Sequence, residues 1–325
     1  AACDAMLGPV GAEDISVDQV SQLAYIAADD RRAAFQYKSL TSYPNGGIWV
    51  LDLSQADSQA KQLTFPIDGA FHPHGLALRF SDKNSVDAGR AIELYVVNHL
   101  DMTTHEIDVF TILASGELKL RRRISYPELI SPNDLVVVGK DRFFVSNDHG
   151  NPRHSFMELM EDYLGLSLAS VSYFDGAKGH LVLEGLRYTN GLALSADQKV
   201  LYVAESTART LSRYEQGEGL TNWQYKDSIS VNMGIDNLEW DGQGHLLTAG
   251  HPKMFDFIDH VKDSDKPSPS EVIRINVSEP EMSYETLYLN SGEEISTSSV
   301  AAQYNEQVFI GTVFDPHFLR CNMRD

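Results

Sequence analysis

Residues 131 to 150 read SPNDLVVVGKDRFFVSNDHG. Two apolar runs, Leu135 to Val138 and Phe143 to Val145, have the length and the β-branched or aromatic content of strands, and the turn-forming GKD lies between them. The flanks are unusual. An amide and a carboxylate stand side by side at both ends of this hairpin, Asn133-Asp134 at the entry and Asn147-Asp148 at the exit. Asn-Asp pairs are common turn formers, and turn or rim structure is the reading for the exit pair.

The pattern recurs along the chain. EDISVDQVSQLAYIAADD from Glu13, HGLALRFSDKNSV with IELYVVNH from His74, NDLVVVGKDRFFVSND from Asn133, NGLALSADQKVLYVAES from Asn190, DNLEWDGQGHLLTAGH from Asp236 and SSVAAQYNEQVFIGTVF from Ser298 line up. Each is a polar entry, a strand, a turn, a second strand and a polar exit. The entries lie 61, 59, 57, 46 and 62 residues apart, with further strand candidates such as GGIWVLDL, IDVFTIL, SVSYFDG, HLVLEGL and EVIRINV between them. Six units of four short strands predict an all-β fold, a six-bladed β-propeller, as one domain over residues 1–325. Helical spacing of Phe156, Leu159, Met160, Tyr163 and Leu164 predicts one accessory helix within about 153–170, either packed on the body or lying over the functional face. The run KDSDKPSPS, 262 to 270, reads as a loop.

A propeller must close its ring, and Cys3 and Cys321 stand near opposite ends of the chain. A disulfide between them would tie the first element to the last and implies an oxidising compartment, secreted or periplasmic. Free buried thiols, or AAC as a lipoprotein cleavage remnant, are the alternatives.

In a propeller the innermost strands converge on an axis, so entry residues far apart in sequence become neighbours. Those entries carry Glu13-Asp14, Asn133-Asp134, Asn190 and Asp236-Asn237, all oxygen donors. Calcium takes six to eight oxygen ligands, whereas zinc calls for histidine and cysteine. Adjacent residues of an extended strand project oppositely, so the paired donors would serve two ions at different depths. His74, at the same entry phase, is a candidate base on water with His99 behind it. His251 and His149 are candidates for the rim. No G-x-S-x-G elbow is present to support a serine hydrolase. A formal charge of -20 argues against nucleic acid or an anionic membrane surface as partner. No run approaches the roughly 20 apolar residues of a membrane span.

Taken in order, GAED (11 to 14), PHGLAL (73 to 78), LYVVNH (94 to 99), SPNDLVVVG (131 to 139), SNDH (146 to 149), MELMEDYLGL, TNGLALS (189 to 195), LYVAE (201 to 205), DNLEWD (236 to 241), GHPK (250 to 253), SEVIRI (270 to 275) and FIGTVF (309 to 314) resemble the serum paraoxonase family of calcium-dependent lactonases. The resemblance implies two tunnel calcium ions and an end-to-end disulfide. It implies Glu13, Asn133, Asn190, Asp236 and Asn237 as ligands of a catalytic calcium, and Asp14, Asp134 and the Leu76 carbonyl as ligands of a structural one. His74 and His99 match the family's histidine dyad, and Tyr188, Phe257, Ser299 and Val313, with His251, fall near its substrate pocket. The expected activity is hydrolysis of a small-molecule lactone or ester, with aryl esters or organophosphates as side or main substrates; a non-catalytic calcium-stabilised binding propeller is the reading from another class. The stretch IAADDRRAAFQY, 26 to 37, is charged where the family places an apolar loop, and no hydrophobic anchor precedes Cys3, so lipoprotein association is not expected.

Overall fold

The computed structural model describes residues 2–34, 43–82, 88–152, 155–278 and 280–323, with the side chains of 156, 159, 162 and 163 also outside the description. The chain opens with β1 (Ala2–Leu7). Blade one is β2 (Ala12–Asp18), β3 (Leu23–Ala28), β4 (Gly47–Asp52) and β5 (Lys61–Gln62), with the one-turn helix α1 (Arg31–Ala34) after β3. Blade two is β6 (Pro73–Phe80), β7 (Ala91–His99), β8 (His105–Ile112) and β9 (Leu118–Ile124). Blade three is β10 (Pro132–Gly139), β11 (Arg142–Asn147), β12 (Ala169–Phe174) and β13 (Gly179–Leu186), with α2 (Phe156–Leu164) before β12. Blade four is β14 (Thr189–Leu194), β15 (Val200–Glu205), β16 (Thr210–Gln216) and β17 (Trp223–Ser230). Blade five is β18 (Gly234–Trp240), β19 (His245–His251), β20 (Ser270–Asn276) and β21 (Ser283–Asn290), with α3 (Met254–Lys262) after β19. Blade six is β22 (Ser298–Tyr304), β23 (Gln307–Thr312) and β24 (His317–Asn322), completed by β1.

Every blade is an antiparallel four-stranded sheet, and the inner strands pack in a closed ring, β2 on β6, β6 on β10, β10 on β14, β14 on β18, β18 on β22 and β22 back on β2. The six-bladed propeller expected from the repeats is what the chain forms. Apolar layers fill the spaces between blades. Val138, Phe144, Val171 and Leu201 lie between blades three and four, and Ala12, Ile15, Val300, Phe309 and Phe318 lie where blade six meets blade one. Burying such side chains contributes roughly 1.5–3 kcal/mol each, which makes the blade interfaces the main source of cohesion.

Inner strands run outward from the entry face, so each second strand returns to it. Among the described residues the three helices each follow a second strand and therefore lie on the entry face, α2 among them. Of the apolar set that suggested α2, the side chains of Phe156, Leu159 and Tyr163 lie outside the described residues, as do Arg153 and His154. α3 was not expected, because only the polar run beyond it stood out in the sequence.

Cys3 and Cys321 face one another in the β1–β24 register and form a disulfide, with Cα atoms 4.0 Å apart across 318 residues of chain. Closing a loop of that length is worth on the order of 5 kcal/mol in the chain-entropy account. A Cys3→Ser, Cys321→Ser double variant is therefore expected to unfold at a markedly lower temperature than the parent. Reduction of the parent should reproduce the loss, and an unchanged Tm in both would show that the blade packing alone closes the ring.

Candidate active site

The donor dipeptides stand where the ladders break. In all six inner hairpins the pairing of first and second strand shifts at the entry: between Ala12 and Asp14, Pro73 and Leu76, Pro132 and Leu135, Thr189 and Leu192, Ile235 and Leu238, and Ser298 and Ala301. A bulge releases residues from the ladder and re-aims their side chains. Glu13-Asp14, Asn133-Asp134 and Asp236-Asn237 all stand at these shifts. Two glycines let the entries crowd together. A Cβ on Gly75 would lie 2.5 Å from the Asn133 carbonyl oxygen, and one on Gly191 would lie 2.5 Å from the Leu238 nitrogen and 2.6 Å from the Asp236 carbonyl. Glycine after His74 and after Asn190 is what permits adjacent inner strands to approach.

Glu13, Asn133, Asn190, Asp236 and Asn237 are all buried at this meeting point. The Asn237 amide donates to Glu13 Oε1 at 2.8 Å and to the Glu13 carbonyl at 3.1 Å. Asn190 precedes the glycine that abuts Asp236 and Asn237. The Asn133 amide leans on Asp148 Oδ2 at 3.4 Å. What remains is a set of oxygens: Glu13 Oε2 and the Oδ1 atoms of Asn133, Asn190 and Asn237 are buried without a hydrogen-bond partner. Leaving a buried acceptor unsatisfied costs about 1–3 kcal/mol, so several together at one place require an explanation. The unsatisfied atoms are oxygen acceptors, which is the donor chemistry that a hard cation would fit. Among the described residues there is no group of three or more His, Cys, Asp or Glu side chains placed to hold a metal; three of these five donors are amides.

A second layer lies alongside. Asp14 accepts from the backbone nitrogens of Ile15 (2.8 Å) and Leu76 (2.7 Å), and Asp134 from those of Leu135 (2.6 Å) and Leu192 (2.7 Å). Burial, and for Asp14 the charge of Asp134, push both carboxyls well above the usual range despite these bonds. Glu239 is raised in the same way, by burial and by Asp14. The sequence reading missed Glu239, although a signal existed: after the entry leucine the aligned units carry Ala77, Val136 and Ala193, and only this unit carries a carboxylate. The Leu76 backbone enters this layer through its nitrogen.

His74 faces Glu13, with Nε2 3.5 Å from Oε1, and its Nδ1 is hydrogen-bonded to His99 Nε2 at 2.9 Å. Burial would raise the Glu13 carboxyl, but His74, Arg31 and Asn237 together hold it at about 2. Arg31, from the charged stretch after β3, donates to the carbonyls of Gly11 (3.2 Å) and Pro73 (2.9 Å), so that stretch clamps the entries of blades one and two. Residues 35 to 37 of it lie outside the described residues. Burial raises Asp236, against the pull of His251, whose Nε2 is 3.4 Å from Asp236 Oδ2.

Of the expected pocket residues, Phe257 on α3 packs its ring 4.2 Å from that of His251. Tyr188, at φ 51°, meets His149 edge-on at 5.0 Å, beside a cavity of about 100 Å³ that Asp148, Glu161 and Thr207 also line. Val313 is partly exposed and its nitrogen donates to Thr297. Ser299 is fully buried and its hydroxyl donates to the Glu13 carbonyl at 2.7 Å, so it braces Glu13. The larger surface groove, about 460 Å³ beside Val20, Arg90 and Ser115, lies at the opposite strand ends and carries none of these residues.

The exit pair has another task. Asn147 Oδ1 accepts from the nitrogens of Ile130 and Ser131, and Asn98 Oδ1 from that of His72. Exit amides thus latch the segment leading into their own inner strand, while the Oδ1 atoms of the entry amides Asn133, Asn190 and Asn237 are left without a hydrogen-bond partner.

The titration of the second layer has a definite sign. Asp14, Asp134 and Glu239 are raised on folding, so the folded metal-free protein binds more protons than the unfolded chain above the ordinary carboxylate range, and stability falls as pH rises through the raised values. Glu13 is lowered, so its contribution is present above about 4.5 and is lost as pH falls toward about 2. In chelator, the Tm is expected to pass through a maximum on the acid side of neutrality and to decline toward alkaline pH; a Tm that climbs steadily with pH would contradict this.

A family model described as Arylesterase matches residues 11–323. Serum paraoxonase/arylesterase 2 of Rattus norvegicus is 32% identical over 318 residues, covering 94% of this chain and 84% of that protein. Serum paraoxonase/lactonase 3 of Homo sapiens is 32% identical over 319 residues with the same coverage. Among solved structures, a luciferin-regenerating enzyme superposes with a TM-score of 0.58 at 14% identity, covering 97% of this chain and 92% of that one, a likeness of fold.

Proposed function

Because the chain belongs to the arylesterase family that includes the serum paraoxonases, and is therefore an esterase-type hydrolase, we propose that it is a calcium-dependent lactonase that opens cyclic esters with water. The observation that carries this reading is the juxtaposition of buried, unsatisfied oxygens with a hydrogen-bonded histidine pair. Glu13, Asn133, Asn190, Asp236 and Asn237 would hold a catalytic calcium; Asp14, Asp134 and the Leu76 carbonyl, with Glu239 adjacent, would hold a structural one. When bound, the catalytic ion supplies Lewis-acid polarisation of an ester carbonyl.

The chain's own groups do the rest. His74 takes the proton of an attacking water at Nε2, the nitrogen that faces Glu13, while its Nδ1 stays engaged with His99. Water attacks the carbonyl carbon, the ring carbon–oxygen bond breaks, and the proton returns to the departing alkoxide to give a hydroxy acid. His251 and Phe257 wall one side of the entry face and Tyr188 with His149 another, which would orient an apolar ring. The relative named as a lactonase supports a cyclic ester as substrate. The disulfide supports an oxidising location, secreted or periplasmic, and no described helix is long and apolar enough to cross a membrane.

A panel of γ- and δ-lactones, aryl esters and phosphotriesters, assayed with calcium and with chelator, tests the reading. Lactone turnover is expected to exceed the others and to vanish in chelator. Turnover that survives chelation removes the metal from the proposal, and a preference for aryl esters or phosphotriesters removes the lactone.

His74→Gln is expected to lower kcat by about a hundredfold or more while calcium still raises the Tm. Glu13→Gln is expected to lose both activity and the calcium-dependent rise in Tm. Should His74→Gln turn over normally while Glu13→Gln is dead, His74 is not the base.

A further inference from the structure

His105 lies outside the donor ring and outside the residues singled out from the sequence. It opens β8 directly across from His99, the last residue of β7. The turn between them is built for that register: Asp101 Oδ1 accepts from the nitrogens of Thr103 and Thr104, and the Leu100 nitrogen donates to the Thr104 carbonyl. On the far side the Ser125 hydroxyl donates to the His105 carbonyl at 3.2 Å. His99 Nδ1 and His105 Nδ1 are 2.9 Å apart, the same separation as His74 Nδ1 and His99 Nε2. All three imidazoles are buried, and successive rings are steeply inclined, at 61° and 89°.

Two neutral imidazoles at hydrogen-bond distance must share one proton between facing nitrogens, one donating and the other accepting. Applied twice, this rule couples three tautomers. For Nε2 of His74 to be free of hydrogen and able to act on water, Nδ1 must carry the proton and donate to His99 Nε2. His99 must then carry its proton on Nδ1 and donate to His105 Nδ1, which must accept. The opposite ladder, with His105 donating from Nδ1, ends in an N–H at Nε2 of His74 and disables it. Which nitrogen of a histidine is free is set by the hydrogen bond the other one makes. Here that control passes through His99 to His105.

We propose that His105 is a positioning residue for the hydrolysis, the acceptor that fixes the tautomers of His99 and His74 so that Nε2 of His74 faces the reacting water without its proton. This rests on the reading of His74 as the base. An amide oxygen can accept from His99 Nδ1 as the imidazole does, whereas a buried leucine cannot, and that difference makes the idea testable.

The experiment compares the calcium-replete parent with His105→Gln and His105→Leu, using phenyl acetate turnover and nitrogen-15 NMR of labelled histidines. Leucine is expected to lower kcat about tenfold with KM unchanged, and to shift the tautomer pattern of both His99 and His74. Glutamine is expected to restore kcat to within about threefold of the parent and to keep the parent pattern. The inference is overturned if the leucine variant turns over like the parent with unaltered His74 signals, or if glutamine, correctly folded by thermal melt, loses as much as leucine. Signals of His74 that follow residue 105 in a protein that hydrolyses no ester would uphold the tautomer ladder and instead overturn the role of base given to His74.

Discussion

Desolvation of the carboxylates gathered at the propeller axis, with their mutual repulsion added to it, is the constraint on which the other features turn. Closing six blades into a ring brings Asp14, Asp134 and Glu239 within electrostatic reach, with Glu13 and Asp236 in the adjoining layer. Burial is the leading reason that four of the five are harder to ionise, Glu239 remaining partly exposed; only Glu13, beside His74 and Arg31, ends lower than usual. The backbone meets part of the cost. Asp14 and Asp134 each take two amide nitrogens, one from their own strand and one from the neighbouring blade, so the charges that resist closure are also bonded across it. A partner of opposite sign would offset the remainder, which is why charge, acceptor-only chemistry and ring closure point to the same place.

The blades are fastened at several radii. Outermost, a covalent bond joins the first strand to the last. Between blades, apolar layers supply cohesion without direction. Near the axis, directional hydrogen bonds set register: Asn98, Asn147 and Glu205, at the exits of second strands, accept from backbone nitrogens just ahead of their own inner strands. At these three exits the latch fixes where the blade's own inner strand begins, and the ladder shifts register at each entry. An amide-carboxylate pair at both ends of one hairpin is thus one composition serving two functions.

The sequence made the architecture legible because the repeat is a repeat of periodicity: strand, turn and strand recur with polar punctuation, and only radial repetition accommodates six such units. The oxygen-donor entries, and the histidines at the same phase, were visible for that reason. What was not visible depends on contacts between distant segments. Register shifts leave no mark in a strand pattern, so the irregular pairing at the entries is not legible in the sequence. Gly75 and Gly191 read as ordinary strand glycines until the neighbouring backbone is in view. α3 is short and follows a histidine exit, so its apolar spacing merged with the strand before it. Glu239 could have been found by comparing the aligned units position by position. His105 could not, since its meaning comes from facing His99 across a turn.

Glu13 ties these threads together, because one carboxylate serves two neighbours. Its Oε1 takes the Asn237 amide and stands 3.5 Å from His74 Nε2, while its Oε2 remains without a hydrogen-bond partner. Its backbone carbonyl is held independently by Asn237 and Ser299, so the main chain beneath the side chain is braced from blades five and six. Any cation gathered by Oε2 would draw electron density from Oε1 and weaken the hold of Glu13 on a proton at His74, making Nε2 freer to exchange with water than it is in the metal-free protein. On the proposed reading, ion binding and the readiness of the base would in that sense be one equilibrium.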